Sequence, residues 1–151
     1  MTTLEIPLNK HLGIHRITQP DEFLLGMKAE DKLKNHVGTL HAGALFGLAE
    51  ATSGEFLLHE FSEYKSEVIP LVRKAEIKYN KAASGEVKAK AMFLESDKAN
   101  ALFSLEEKNR AFIKVKVDIH NAQNQKVLHA IFDWYLVRHI HMQENTNNET
   151  Y

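Results

Sequence analysis

Hydrophobic positions repeat with two different periods along this chain. Between Ala42 and Phe56 they recur every three or four residues, which is typical of a helix. Small residues share one side of that helix and would let a strand or another backbone approach closely; these are Ala44, Gly47, Ala51 and Gly54. A helix that is apolar or small on nearly every side is expected to be buried nearly all round.

The rest of the chain alternates apolar with polar residues, which is the period of a strand. We expect a short strand through Phe23, Leu25, Met27 and Ala29, and four longer strands after the helix. Their predicted core faces are Leu71, Arg73, Ala75, Ile77 and Tyr79; Val87, Ala89, Ala91 and Phe93; Ala111, Ile113, Val115, Val117 and Ile119; and Leu128, Ala130, Phe132, Trp134 and Leu136.

The connections complete this picture. Residues 1–13 are expected to form a short helix or an extended lead-in that docks on the body, and Ser96 to Arg110 predicts a helical connection with Ser96 as its N-cap. Short turns join the strands, so the pattern predicts an α+β fold in which a mostly antiparallel sheet packs across one long helix. We expect one domain over residues 1–142 and a flexible polar tail over 143–151.

Composition narrows the class of protein. The chain has 151 residues, is 44% hydrophobic and carries a formal charge of −1, which is typical of one globular domain and argues against a nucleic-acid partner. It contains no cysteine, which excludes thiolate catalysis. The N-terminus does not resemble a signal peptide and no apolar run reaches the ~18 residues of a membrane span. We therefore expect a cytoplasmic protein without a membrane partner. Outward apolar residues on the last strand, Ile131, Tyr135 and Val137, favour self-association.

Candidate chemistry lies where the loop before the long helix joins it. The first turn of a helix has unpaired N–H groups and partial positive charge, so the residues after His41 can donate to a polarised carbonyl oxygen. Glu50 lies in the middle of the helix, where a buried carboxylate must be paired, hydrogen-bonded or protonated.

Structural explanations exist for each of these residues. Glu50 would be explained by an ion pair with Arg73, which the strand pattern places on the core face. His41 could be a capping residue, and Asn35 could simply close a turn through its side chain. His139 and His141, among nine histidines, lack fixed acidic or Cys partners, so no metal site is expected.

The order of elements, together with Asn35, Gly38, His41, Gly43 and Glu50, resembles the hotdog-fold thioesterases, in particular the PaaI-like acyl-CoA thioesterases. The likeness spans roughly residues 8–138. It implies a fold in which an antiparallel sheet wraps around one long central helix. It also implies that the Asn35 and His41 loop holds the thioester, that the backbone N–H of Ala42 polarises its carbonyl, and that Glu50 acts as general base or nucleophile.

The resemblance also has implications for partners and substrate. The family's site lies between two subunits, so a homodimer or a dimer of dimers is expected, with no cofactor apart from the coenzyme A of the substrate. Gly38 and Gly43 belong to the loop, and Lys81, Ser84 and Gly85 precede a strand where a loop can meet the phosphates of coenzyme A. On the strand after the helix, Arg73 and Val72 are candidates for substrate contact. Val72 falls near the position where several members have Ser or Thr, and Ala42 stands where Gly is common. The alternative is a non-catalytic hotdog protein that binds an acyl thioester or lipid-like ligand.

Overall fold

The computed structural model describes residues 2–19, 21–94 and 98–139. Short 3-10 turns cover Thr3–Glu5, Asp31–Leu33 and Ser62–Tyr64. The helices are α1 (Pro7–His11), α2 (Ala42–Glu60) and α3 (Lys98–Lys108), and the strands are β1 (His15–Arg16), β2 (Leu25–Met27), β3 (Val68–Tyr79), β4 (Val87–Phe93), β5 (Arg110–Asn121) and β6 (Lys126–Arg138). The expected α+β architecture is confirmed. The tail and His141 lie outside the described residues.

One antiparallel sheet runs in the order β1-β2-β4-β5-β6-β3. Its helix side forms the core, because the apolar residues of β4, β5 and β6 that alternate toward α2 are almost fully buried. The strand β3 is an edge, paired only with β6 among the described strands. Most of its residues are exposed or half-buried.

The helix α2 crosses this sheet and is buried on most sides, as its sequence predicts. Its small residues permit close approaches. A Cβ added at Gly47 would lie 2.5 Å from Leu12 Cδ1, so the N-terminal segment docks against that glycine. A Cβ at Gly54 would meet the Trp134 ring at 3.4 Å. The helix therefore lies between the N-terminal segment on one side and β6 on another.

The predicted face of β3 is wrong in its first half. A β-bulge shifts the register between Val72 and Lys74, so that Val72 pairs with Trp134 and Lys74 with Asp133. Because the bulge inserts Arg73 between them, Val72 faces α2 whereas Leu71 lies opposite Tyr135 on the outer side. The guanidinium of Arg73 lies over the ring of Phe112, 5.2 Å from its centroid, also on the outer side.

Other differences are at the ends of elements. The first predicted strand is shorter, since β2 covers Leu25–Met27 and leaves Phe23 and Ala29 outside, and it pairs with the unpredicted β1. The helical connection is confirmed as α3, while its proposed cap Ser96 lies outside the described residues. On β6, Ile131 and Tyr135 are half-buried, but Val137 is only 4% exposed. Among the described helices, none has the length and apolar character needed to span a bilayer.

Candidate active site

The N-terminus of α2 is capped by His41. The backbone of His41 is extended, with φ −62° and ψ 139°, and its ring Nδ1 accepts a hydrogen bond from the Gly43 N–H at 2.8 Å. The N–H groups of Ala44 and Leu45 donate to the His41 carbonyl. In the part of the chain that the structure describes, no acceptor pairs with the Ala42 N–H, and Ala42 is exposed. One donor at the start of the helix thus remains free for a ligand.

The loop that precedes this cap is closed by Asn35. The Asn35 side-chain oxygen accepts from the N–H groups of Val37 and Thr39, and its amide nitrogen donates to the Thr39 hydroxyl at 2.9 Å. Gly38 has φ +83° in this turn, a conformation that side chains rarely adopt. Asn35 therefore shapes the loop, and direct contact of its side chain with substrate stays a prediction.

Glu50 lies two turns further along α2 and is half-buried. Within the described residues, its carboxylate forms neither an ion pair nor a hydrogen bond. The expected alternative, an ion pair with Arg73, is wrong because Arg73 lies against Phe112 on the outer side of the sheet. Burial alone raises the pKa of Glu50 above the ordinary value of 4.5. An unpaired carboxyl with a raised pKa is suited to act as a general base.

The surroundings of Glu50 are apolar. Phe46 and Gly54 lie one turn before and one turn after it on the same stripe of α2. The Phe46 ring packs edge-on against Phe132 at 5.8 Å, and Gly54 packs against Trp134. Phe46 of α2 and Val72 of β3 are each 37% exposed. The carboxylate therefore lies on an apolar flank that the described chain leaves partly open.

The free N–H of Ala42 and the carboxylate of Glu50 are far apart along the helix. They are eight positions apart, which corresponds to a rise of about 12 Å along the helix axis. A carbonyl group bound at the Ala42 N–H is therefore too distant to be reached by a water held at Glu50 of the same chain. The two groups can act on one substrate only if they come from different chains.

Tyr79 is part of this site, although its pattern position indicated only a core-facing strand residue. Its hydroxyl donates to the Ala42 carbonyl at 3.1 Å, which attaches the end of β3 to the first turn of α2. Burial raises the pKa of Tyr79, so the hydroxyl keeps its proton and remains a donor. In the sequence, the one feature that could have assigned Tyr79 to the site is its position at the end of a strand, immediately before the loop that contains Lys81.

The loop with Lys81, Ser84 and Gly85 lies next to the cap of α2. The Leu40 N–H donates to the Ala83 carbonyl at 2.7 Å, which joins the loop before α2 to the loop after β3. Gly85 has open space around its Cα. The structure thus brings the predicted phosphate-contacting residues beside Ala42, whereas it separates Arg73 from both Ala42 and Glu50.

No group of three or more metal-binding side chains occurs in the residues that the structure describes.

The sequence comparisons supply the family. A family model for a domain of unknown function, DUF4442, matches residues 13–136, which is most of the chain. The chain belongs to the DUF4442 family. No curated protein matches this DUF4442 chain.

Solved structures resemble the DUF4442 chain over nearly its whole length. A protein of unknown function from Pseudomonas aeruginosa, described as a probable thioesterase, is 23% identical, with 91% of each chain covered and a TM-score of 0.75. A protein of unknown function from Chlorobaculum tepidum is 18% identical over 88% of this chain and 87% of that one, with a TM-score of 0.74. A mutant thioesterase from Staphylococcus aureus is 21% identical, with 86% of this chain and 98% of that chain covered and a TM-score of 0.65. The predicted hotdog fold is confirmed, as is the resemblance to the thioesterase superfamily at the level of fold.

Substitutions of His41 distinguish its role as the N-cap of α2 from a role in positioning the substrate of this DUF4442 protein. We expect His41→Ala to lower the free energy of unfolding by about 1 kcal/mol, because the Gly43 N–H loses its acceptor. His41→Asn should retain most of that stability, since Asn is a good N-cap. Urea unfolding measures the free energy of unfolding of both variants. If His41 also positions substrate, His41→Asn keeps stability but loses turnover; full turnover in His41→Asn would reduce His41 to a cap.

The raised pKa of Glu50 predicts how stability changes with pH. Because the native state holds this proton more tightly than the unfolded state, the stabilisation is present below pH 4.5 and is lost as pH rises through the raised native pKa. Glu50→Gln should therefore be more stable than wild type at about pH 8, and the difference should vanish at about pH 4. Paired urea titrations at both pH values measure it. A destabilised Glu50→Gln at the higher pH would contradict an unpaired carboxylate.

Proposed function

We propose that this DUF4442 protein is an acyl-CoA thioesterase that hydrolyses a thioester to a free acid and coenzyme A. The observation that carries the proposal is the half-buried Glu50 carboxylate, which has no ion pair or hydrogen bond within the described chain and lies on an apolar flank. A structural carboxylate at such a depth is normally paired, because an unpaired charge there costs stability. An unpaired Glu50 carboxylate at this depth is explained if it takes part in a reaction.

The proposed reaction uses the two ends of the site in different ways. The Ala42 N–H, at the positive end of α2, binds the thioester carbonyl oxygen and stabilises the negative charge that develops on it. Glu50 either removes a proton from the attacking water or attacks the carbonyl carbon itself, which would give a mixed anhydride that water then hydrolyses. In both routes the sulfur leaves as the thiol of coenzyme A.

A second copy of the chain completes this site. The rise of about 12 Å between Ala42 and Glu50 requires that the carboxylate of one chain act on a carbonyl held by another. The flank of Glu50 is open at β3, the sheet edge that has no second neighbour among the described strands. An unpaired edge of this length is a ready surface for another strand. We infer a homodimer, or a dimer of dimers, with the active site between subunits.

Coenzyme A is proposed to enter past the two loops beside the α2 cap. The loop with Lys81, Ser84 and Gly85 is joined to the cap through Leu40 and Ala83, so it can meet the phosphates while the thioester lies at Ala42. The acyl group would then lie along the apolar flank formed by Phe46 and Val72. No cofactor beyond the substrate's own coenzyme A is needed in this reaction.

The test is release of free thiol from a panel of aromatic and straight-chain acyl-CoA substrates by the wild-type protein. Turnover of at least one substrate well above the uncatalysed rate supports the proposal. The alternative function is non-catalytic binding of an acyl thioester, which is favoured by the apolar Val72 near the strand position where the PaaI-like resemblance implies Ser or Thr. Saturable binding of acyl-CoA without any thiol release would establish that alternative instead.

A further inference from the structure

The outer face of the sheet, which points away from α2, has a groove that the proposed hydrolysis does not use. Its volume is about 450 Å³. It is lined by Arg73 and Lys74 of β3, Phe112 and Lys114 of β5, and Asp133 and Trp134 of β6. The β-bulge at Arg73 forms one wall. Bulges redirect side chains, and here the bulge directs an arginine to the outer face.

Arg73 is the cation of this groove that has no acidic partner in the described residues. The other two cations are neutralised: Lys74 Nζ lies 2.8 Å from Glu76, and Lys114 Nζ lies 3.3 Å from Asp133. The Arg73 guanidinium contacts only the Phe112 ring among the interactions described. A guanidinium presents a planar set of donors that matches two oxygens of a carboxylate or phosphate.

The wall beside Arg73 is aromatic and exposed. Phe112 is 60% exposed, and its ring stacks on Tyr135 with a centroid distance of 5.0 Å and an angle of 30° between the planes. Leu71, opposite Tyr135 on β3, is 39% exposed. Phe112, Tyr135 and Leu71 together form an apolar patch of the kind that marks a ligand-binding surface.

We propose that this groove binds a small monocarboxylate with an apolar body, the carboxylate on Arg73 and the body against Phe112. A dianion such as phosphate fits less well, because Arg73 is the groove's one cation without an acidic partner among the described residues and Asp133 lines the same groove. The proposal uses neither Glu50 nor Ala42, although the groove shares β3 with the edge that the proposed dimer would pair. It therefore stands or fails independently of thioester hydrolysis at Glu50.

The test uses isothermal titration calorimetry, because the single tryptophan of the sequence, Trp134, directs its ring toward Gly54 of α2 and not into the groove. The wild-type protein is titrated with 3-phenylpropanoate, with its uncharged analogue 3-phenylpropanamide, and with inorganic phosphate. We expect saturable binding of the carboxylate, at least tenfold weaker binding of the amide, and weaker binding of phosphate. Equal affinity for the carboxylate and the amide, or tighter binding of phosphate, would overturn the proposal.

Variants then assign the binding to the groove. Arg73→Met should weaken 3-phenylpropanoate binding at least tenfold, and Arg73→Lys should fall between Arg73→Met and wild type because a lysine keeps the charge without the planar fork. Lys78→Met is the matched control, since it removes one positive charge from the outer side of the same strand without lining the groove. Glu50→Gln should bind the carboxylate as wild type does. Unchanged affinity in Arg73→Met, or an equal loss in Lys78→Met, would place the ligand elsewhere.

Discussion

Glu50→Gln is expected to lower kcat for thioester hydrolysis by about 100- to 10,000-fold. Gln has the shape of Glu but can neither accept the proton of water nor attack a carbonyl carbon, so both proposed routes stop. Because the carboxylate has no partner in the described chain, its replacement breaks no ion pair. The loss should therefore appear in kcat for a protein that remains folded and still binds acyl-CoA.

Glu55→Gln is the matched control for that experiment. Glu55 lies on the same helix and is also largely buried, with 14% of its side chain exposed, but its carboxylate is neutralised by Arg16 at 2.6 Å. We expect Glu55→Gln to change stability and to leave kcat within about threefold of wild type. Equal turnover in wild type and Glu50→Gln would end the proposed mechanism.

Ala42→Pro is expected to lower kcat by about 100- to 1,000-fold, because proline has no N–H to donate to the developing oxyanion. The helix should tolerate it. Ala42 is the first residue of α2, a position where proline is common, and His41 already has the extended backbone that must precede a proline. The Ala42 N–H has no partner in the described structure, so no internal hydrogen bond is lost. Ala42→Ser, which keeps the N–H, is the control, and wild-type turnover by Ala42→Pro would remove this donor from the mechanism.

The two inactive variants together test whether the site is shared between chains. In a dimer that pairs an Ala42→Pro chain with a Glu50→Gln chain, one of the two sites receives an intact Ala42 and an intact Glu50. Equal amounts mixed at random should therefore recover about a quarter of wild-type activity. No recovery, with exchange of subunits demonstrated by mass spectrometry, would contradict an active site built from two copies.

The sequence alone was sufficient for most of the architecture. The helical period from Ala42 and the alternation in β4, β5 and β6 are strong signals, because each element has many residues that must face one core. The junction at His41 was also predictable, since an exposed loop followed by an apolar helix leaves donors at the first turn. Lys81, Ser84 and Gly85 were predicted only as contacts for phosphate, and the hydrogen bond from Leu40 to Ala83 is what places their loop next to that junction.

The errors have physical causes that alternation does not reveal. A β-bulge inserts one residue without changing the apolar pattern on either side, so the face of Arg73 was assigned wrongly. The alternative explanation of Glu50, an ion pair with Arg73, depended on that face and fails with it. The contact of Tyr79 with Ala42 depends on where β3 ends relative to α2, which is a tertiary relation between residues 37 positions apart. The two residues of β1 were too few to give any periodic signal.

The spacing of Ala42 and Glu50 along one helix bears on how the proposed enzyme would behave at low abundance. If neither chain alone can bring both groups to one carbonyl, catalysis depends on association of two chains. Specific activity must then fall when the protein concentration drops below the dissociation constant of the dimer. Separated chains would be inert. The amount of active enzyme would then rise more steeply than the amount of protein made.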